Sequence, residues 1–146
     1  MIEVLIKRLS ENIELPKYET SGSSGMDLAA NVDVQVKIDP GKSSIIPTGI
    51  SLSIPKNFEV QIRPRSGLAA KNQISILNTP GTIDADYRGE IKVILVNLGN
   101  KPFVVEKGAR IAQMVLCPLV KAKLKEVKNL DETDRGSGGF GSTGKK

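Results

Sequence analysis

A period of two runs through this chain and restricts its fold more than any other feature. Val34, Val36 and Ile38 alternate with polar neighbours, as do Ile50, Leu52 and Ile54, and Val60 and Ile62. Alternation of that kind turns every second side chain to one face, the mark of a strand half in a core. Two stretches are more apolar. Ile91 to Val96 suits a central strand, and Ile111 to Leu119 predicts another that ends at Pro118. Turn signals separate the segments: Asp39-Pro40-Gly41-Lys42, Pro47-Thr48-Gly49, Pro55-Lys56-Asn57, Leu98-Gly99-Asn100-Lys101-Pro102 and Glu106-Lys107-Gly108. Short strands at this spacing predict an all-β fold, a distorted jelly roll or β-barrel, with one short helix over about Gly67 to Asn72. Lys121, Lys123 and Lys125 alternate with Val120, Ala122 and Leu124, which predicts a further half-buried strand with a solvated lysine face.

The 146 residues make one domain with room for a core. Residues 1–128 are expected to form the β-barrel, and residues 129–146 a linker and a flexible glycine-rich C-terminal lid. There is no histidine, which excludes His-based metal sites and Ser-His-Asp or Cys-His nucleophiles. Cys117 is the single cysteine, expected as a buried thiol inside an apolar run, and no internal disulfide can form. A reducing, cytoplasmic setting fits, and the N-terminus carries no apolar run suited to a signal or a membrane span. The net charge of +5 is spread along the chain, and aromatics make up 3%. Without interleaved basic and aromatic residues, stable nucleic-acid binding is not expected.

Four segments could carry chemistry. Pro80 to Glu90 reads P-G-T-I-D-A-D-Y-R-G-E. A hairpin turn at Arg88-Gly89 would leave Asp84 and Asp86 on one strand face and Ala85 and Tyr87 on the other. Two carboxylates there could bind a metal, or one could act as a base oriented by the other; equally, they could be a solvated face paired with Arg88 and Glu90. Ser66, in Pro64-Arg65-Ser66-Gly67-Leu68-Ala69-Ala70, stands where an N-cap would precede the short helix. With Arg65 it could instead seat a phosphate. Asp27, in Gly25-Met26-Asp27-Leu28, reads as a turn former. Gln113, in Arg110-Ile111-Ala112-Gln113, needs a partner if buried, or faces water.

The last twelve residues, Arg135 to Lys146, include five glycines and no aliphatic side chain. Such a segment cannot offset its own ordering entropy. Gly136, Gly138 and Gly141 match a dinucleotide-binding glycine pattern, and Gly139 to Lys145 the opening of a phosphate-loop pattern. Neither is followed by the helix that those motifs require. What remains is a solvated linker, or a lid whose backbone N–H groups, Arg135 and Phe140 close on an anionic ligand with a flat face.

Taken together, five segments resemble the motifs of the trimeric dUTPase family in order. They are Gly25 to Leu28, Pro64 to Ala69, Gly81 to Glu90, Arg110 to Gln113, and Arg135 to Gly144. One departure is Ala109, where the family often carries an acidic residue. The resemblance implies a jelly-roll-like fold and a homotrimer whose active sites are shared among three subunits. It implies hydrolysis of dUTP to dUMP and pyrophosphate, limiting uracil in DNA and supplying dUMP for thymidylate synthesis. It also implies Mg²⁺ bound mainly through substrate phosphates, with no direct protein ligand and Asp27 as an outer-shell contact or a structural brace.

By the same resemblance, Asp84 is the carboxylate that activates water for attack on the α-phosphorus. Tyr87 lies against the deoxyribose. Asn78, Gly81, Thr82 and Ile83 surround uracil, with Lys92 near the sugar or base. Arg65, Ser66, Gly67 and Gln113 lie on the phosphate side. In the tail, Phe140 stacks over uracil, Arg135, Ser142 and Thr143 meet the outer phosphates, and Gly141 is also substrate-binding. Two alternatives share the fold: a dCTP deaminase and a non-catalytic nucleotide-sensing trimer.

Overall fold

The computed structural model describes residues 1–141. Eleven short strands and one helix succeed one another there. The strands are β1 (Leu5–Arg8), β2 (Met26–Ala29), β3 (Val36–Ile38), β4 (Ser43–Pro47), β5 (Ile50–Ser53), β6 (Phe58–Arg63), β7 (Ile74–Ile76), β8 (Gly81–Ile83), β9 (Lys92–Asn97), β10 (Phe103–Val105) and β11 (Arg110–Pro118); helix α1 (Ser66–Asn72) lies between β6 and β7. All pairings are antiparallel. The strands form sheets ordered β2-β11-β6-β8, β4-β9-β7, β1-β5 and β10-β3. This is the expected all-β, jelly-roll-like architecture of short strands.

The core follows the predicted alternation. Ile38, Ile46, Ile50, Val60, Ile91, Val93, Leu95 and Ile111 are each at most 1% exposed, and full burial of one such side chain stabilises by roughly 1.5–3 kcal/mol. Strand β9 is central, as its continuous apolar run predicts, and β11 ends at Pro118. Two polar side chains are buried without penalty. Thr48 Oγ1 donates to the Ile91 carbonyl at 2.6 Å. Asn97 donates to the Ile38 and Lys101 carbonyls at 2.9 and 2.8 Å and accepts from the Gly99 N–H at 2.9 Å.

Four expectations are corrected. First, residues 81–92 are not a hairpin. Strand β8 pairs with β6, whereas β9 pairs with β4 and, at Leu95–Asn97, with β7, so the two arms go to different sheets. Asp84 to Tyr87 instead close a turn, with the Tyr87 N–H donating to the Asp84 carbonyl at 3.1 Å. Asp84 and Asp86 therefore do not share a strand face. Second, Ser66 does not cap α1. Arg65 holds the N-cap position in extended backbone, with no side-chain cap bond, and Ser66 is the first helical residue. A helical residue cannot fold its hydroxyl back onto the following amides as an extended one does. Third, the alternation at 120–125 forms no strand. Val120 and Leu124 are 99% and 92% exposed, because nothing in this chain covers that apolar row. Fourth, Cys117 is half-buried, and its sulfur lies 3.7 Å from Arg63 Nη2.

Candidate active site

The central sheet sets one group of candidate residues by register. Gln113 on β11 stands opposite Asp27 on β2 and opposite Arg63 on β6. Neighbouring strands lie about 4.8 Å apart, so the three residues occupy one rung, and Arg65 follows Arg63 just beyond the strand end. Arg65 Nε donates to Asp27 Oδ1 at 2.9 Å, and its Nη1 to the Arg110 carbonyl at 3.3 Å. Arg110 Nη1 donates to the other carboxylate oxygen, Asp27 Oδ2, at 3.3 Å, while Arg110 Nη2 lies 3.4 Å from Glu19 Oε1. Asp27 is thus a brace between two arginines. Gln113 Nε2 donates to the Pro64 carbonyl at 2.9 Å. A Cβ at Gly25 would meet Gln113 Oε1 at 2.5 Å, so a side chain there would displace the glutamine.

Strand parity alone would put Arg110 and Gln113 on opposite faces. A bulge resolves this. The β2–β11 register passes from Ala112 opposite Leu28 to Arg110 opposite Ala29, skipping Ile111. The extra residue turns Arg110 to the Gln113 face and leaves Ile111 and Ala112 both buried, at 1% and 0% exposure. Sequence reading assigned no role to Arg110 or Glu19. The motif position marked Arg110, but only the bulge brings it to Asp27.

A second group stands elsewhere. Gly81, Thr82 and Ile83 pair with Ile62, Gln61 and Val60, so the chain runs back along β6 away from Arg65. Strand β8 is the edge of its sheet, which leaves one side of its backbone free of strand partners among the described residues. A Cβ at Gly81 would lie 3.3 Å from Ile62 Cβ and 3.5 Å from Asn78 Nδ2. Asp84 follows, exposed, in an open recess of about 590 Å³ lined also by Lys56, Asn57, Ala85, Asp86, Leu119 and Lys121. Its position is level with Glu59, six residues from Arg65, which at roughly 3.3 Å per residue is about 20 Å. One chain does not bring Asp84 to Arg65.

Beyond the turn, the Tyr87 hydroxyl donates to the Glu90 carbonyl at 2.9 Å, and its ring lies where a Cβ on Gly89 would stand. Tyr87 is 44% exposed. Glu90 Oε1 accepts from the Gly49 N–H at 2.9 Å, and Lys92 Nζ lies 3.9 Å from Glu90 Oε2. Ser66, Gly67, Asn78 and Lys92 are all exposed, and Gly67 has open space around it.

The tail is a third, separate element. Gly136 N–H donates to the Thr133 carbonyl at 2.9 Å and Gly138 N–H to the Arg135 carbonyl at 3.0 Å. Arg135 Nε donates to the Gly138 carbonyl at 2.9 Å. Phe140 is fully exposed, and it and Gly141 have positive φ, 51° and 87°. Ser142 and Thr143 lie outside the described residues.

The comparisons with known proteins agree on one family. The dUTPase family model matches residues 11–144. A deoxyuridine 5'-triphosphate nucleotidohydrolase of Clostridium tetani is 59% identical over 140 residues, covering 96% of this chain and 95% of that protein. One from Brucella melitensis is 57% identical over 137 residues, covering 92% and 87%. The structure of Staphylococcus bacteriophage 80alpha dUTPase with dUPNHPP superposes with a TM-score of 0.87 at 26% identity, covering 97% of this chain and 98% of that one. Five motifs in order, a jelly-roll-like fold and these matches lead to one conclusion: the chain belongs to the dUTPase family.

Proposed function

We propose that the protein hydrolyses dUTP to dUMP and pyrophosphate, limiting uracil in DNA and supplying dUMP for thymidylate synthesis. The observation that carries the reading is Arg65. Asp27 holds its Nε, yet its side chain remains 31% exposed beside the open backbone of Ser66 and Gly67. Its Nη1 also donates to the Arg110 carbonyl, so the guanidinium is oriented through two nitrogens and keeps Nη2 for a phosphate oxygen. Gln113, on the same face, joins it.

On this reading Asp84 orients a water for in-line attack on the α-phosphorus. Alignment of that water and electrostatic stabilisation of the phosphates do most of the catalysis. Tyr87 stands against the deoxyribose and leaves no room for a 2′-hydroxyl. The free backbone edge of β8 at Thr82 and Ile83, with Asn78, offers hydrogen-bonding groups to uracil, and Gly81 keeps that strand close to β6. A site made to pair the edge of uracil leaves its own groups unpaired against cytosine, which is strongly disfavoured. Lys92 lies near the sugar. Phe140 stacks over the base, and Arg135, Gly141, Ser142 and Thr143 close on the outer phosphates, with residues 129–146 acting as linker and lid.

The separation of Asp84 from Arg65 supports a homotrimer in which different subunits supply the two groups. Among the described residues no three His, Cys, Asp or Glu side chains gather as a metal cage, and both Asp27 oxygens are held by arginines. That donor set suits Mg²⁺ carried on the substrate phosphates and waters, with Asp27 reaching it through water at most. When bound, Mg²⁺ supplies charge neutralisation on the triphosphate and the departing pyrophosphate. No helix of the described chain is long and apolar enough to cross a membrane, and we expect the enzyme to work in the cytoplasm.

Pyrophosphate release from dUTP, dTTP, dCTP and UTP, measured side by side with and without a chelator, tests the reading. Turnover of dUTP alone, lost with the chelator, is expected. Equal rates on all four substrates would overturn it.

A further inference from the structure

We propose that Glu90 is a positioning residue for sugar discrimination: its carboxylate ties the Tyr87 turn to a buried seam and so sets where the Tyr87 ring stands. The inference rests on the sugar-side reading of Tyr87 above.

A wall that refuses one hydroxyl must be held to a fraction of that hydroxyl's size, since a misplacement of about 1 Å is enough to lose a reactive geometry. The turn that carries Tyr87 is exposed and has no strand partner of its own. Its ring is fixed from one side by two local contacts. The hydroxyl donates to the Glu90 carbonyl at 2.9 Å, and the ring occupies the space over Gly89 that a Cβ would need. The ring therefore goes wherever the backbone of Gly89 and Glu90 goes.

That backbone is anchored through the Glu90 side chain. Its Oε1 accepts the Gly49 N–H at 2.9 Å. Gly49 has little freedom to move. Its φ is +70°, and a Cβ there would overlap Ile13 and Asn31. The residues on both sides are laced together: the Thr48 N–H and Oγ1 both donate to the Ile91 carbonyl, at 3.2 and 2.6 Å, and the Ile91 N–H donates to the Ile50 carbonyl at 2.9 Å. Thr48 and Ile91 are 2% and 0% exposed. The seam is rigid, and Glu90 carries that rigidity out to the phenol. Lys92, at 3.9 Å and exposed, adds little to this link.

The test is kcat/KM for dUTP and for UTP in the wild type, Glu90→Ala, Glu90→Gln, Glu90→Asp and Tyr87→Phe. Alanine at 90 strands the Gly49 N–H and frees the turn, so the dUTP-to-UTP ratio should fall at least about tenfold, out of the roughly 10²-fold that refusing an added hydroxyl is worth. Glutamine keeps an oxygen to accept the Gly49 N–H, and its ratio should stay within about twofold of the wild type. A folded Glu90→Ala enzyme with the wild-type ratio would overturn the inference. So would a Glu90→Gln ratio as low as that of Glu90→Ala, because the charge rather than the Gly49 bond would then matter. If Glu90→Ala does not fold, Glu90→Asp decides, since its shorter side chain cannot hold the Gly49 N–H without shifting the turn, while Tyr87→Phe reports only the separate bond to the Glu90 carbonyl: a reduced ratio in Glu90→Asp supports the anchor, and an unchanged one refutes it. A wild-type enzyme that hydrolyses neither nucleotide, or both equally, would instead sink the functional reading beneath.

Discussion

The arginine brace and the Asp84 turn are built on opposite plans. Asp27, Arg65, Arg110 and Gln113 sit on or beside three adjacent strands, and each has a named polar partner within 3.3 Å. Asp84, Tyr87 and Phe140 sit on turns or in the tail, exposed, and Asp84 has no side-chain partner among the described residues. The difference matches two tasks. Groups that bind a fixed charge gain from being locked before the ligand arrives, because less freedom is lost on binding. Groups that close over a substrate must be reachable from outside. On the proposed reading they are completed by the nucleotide and, at about 20 Å from the brace by strand count, by another copy of the chain.

The largest effect should come from the exposed side. Asp84→Asn keeps the shape of the turn but loses the carboxylate proposed to orient water. We expect kcat to fall by about 10³-fold or more, within the range of a lost catalytic base. Binding of a non-hydrolysable dUTP analogue should remain within a few-fold, as isothermal calorimetry would report. Near-normal hydrolysis by this variant would remove Asp84 from the mechanism and break the contrast at its exposed end.

Truncation after Asp134 should come next. The described tail makes its hydrogen bonds within itself, from Thr133 to Gly138, so its removal should leave the melting temperature and the oligomer unchanged. Losing both the Phe140 stack and the Arg135 contacts should lower kcat/KM for dUTP by about 10²-fold, since one stacked base is worth roughly 1–3 kcal/mol before the phosphate contacts are counted. Full activity after truncation would make the tail a linker and nothing more.

These two regions also differ in how readable they are from sequence. The sheet was legible wherever one residue in two is buried: Val60 and Ile62 in β6, the apolar run of β9, and the stop at Pro118 in β11 follow from periodicity and from the missing proline N–H. The helix was legible to within one residue. What escaped reading depends on which strand pairs with which. The run from Gly81 to Glu90 has the composition of a hairpin, yet β8 pairs with β6 while β9 joins β4 and β7 in another sheet, so Asp84 falls in a turn between them. The bulge at Ile111 is equally silent, because both Ile111 and Ala112 are small enough or apolar enough to be buried. Without that bulge Arg110 could not reach Asp27. The row Val120, Ala122, Leu124 has the pattern of a strand, but a pattern needs a surface to lie against, and one chain provides none. The roles given to the candidate site residues came not from periodicity but from motif resemblance, which names positions and says nothing of their contacts.

The braced side should respond in stability as well as in kinetics. Asp27→Ala leaves Arg65 and Arg110 facing each other without their shared carboxylate, whose side chain is only 23% exposed. Losing a partly buried charged partner should lower stability by about 1–3 kcal/mol, visible as a lower melting temperature. Arg65 would no longer be held at Nε, so KM for dUTP should rise by about tenfold while kcat changes less, because the lost contact serves ground state and transition state alike. An Asp27→Ala enzyme with unchanged KM and melting temperature would show that the brace is incidental to binding.

The smallest effect should mark where the brace ends. Cys117 lies on the same strand as Gln113 but at its far end, opposite Glu59. Its sulfur is 3.7 Å from Arg63 Nη2, yet that guanidinium is already engaged by Gln61 Oε1 at 3.1 and 2.7 Å. The thiol is half-buried and closes no network, so Cys117→Ser should change stability by no more than about 0.5 kcal/mol, as for a surface substitution away from special features. Both kcat and KM for dUTP should match the wild type. If the serine variant instead loses activity to the degree of Asp27→Ala, the functional face of β11 extends along the whole strand. The division between a locked brace and an otherwise ordinary sheet would then have to be redrawn around Arg63.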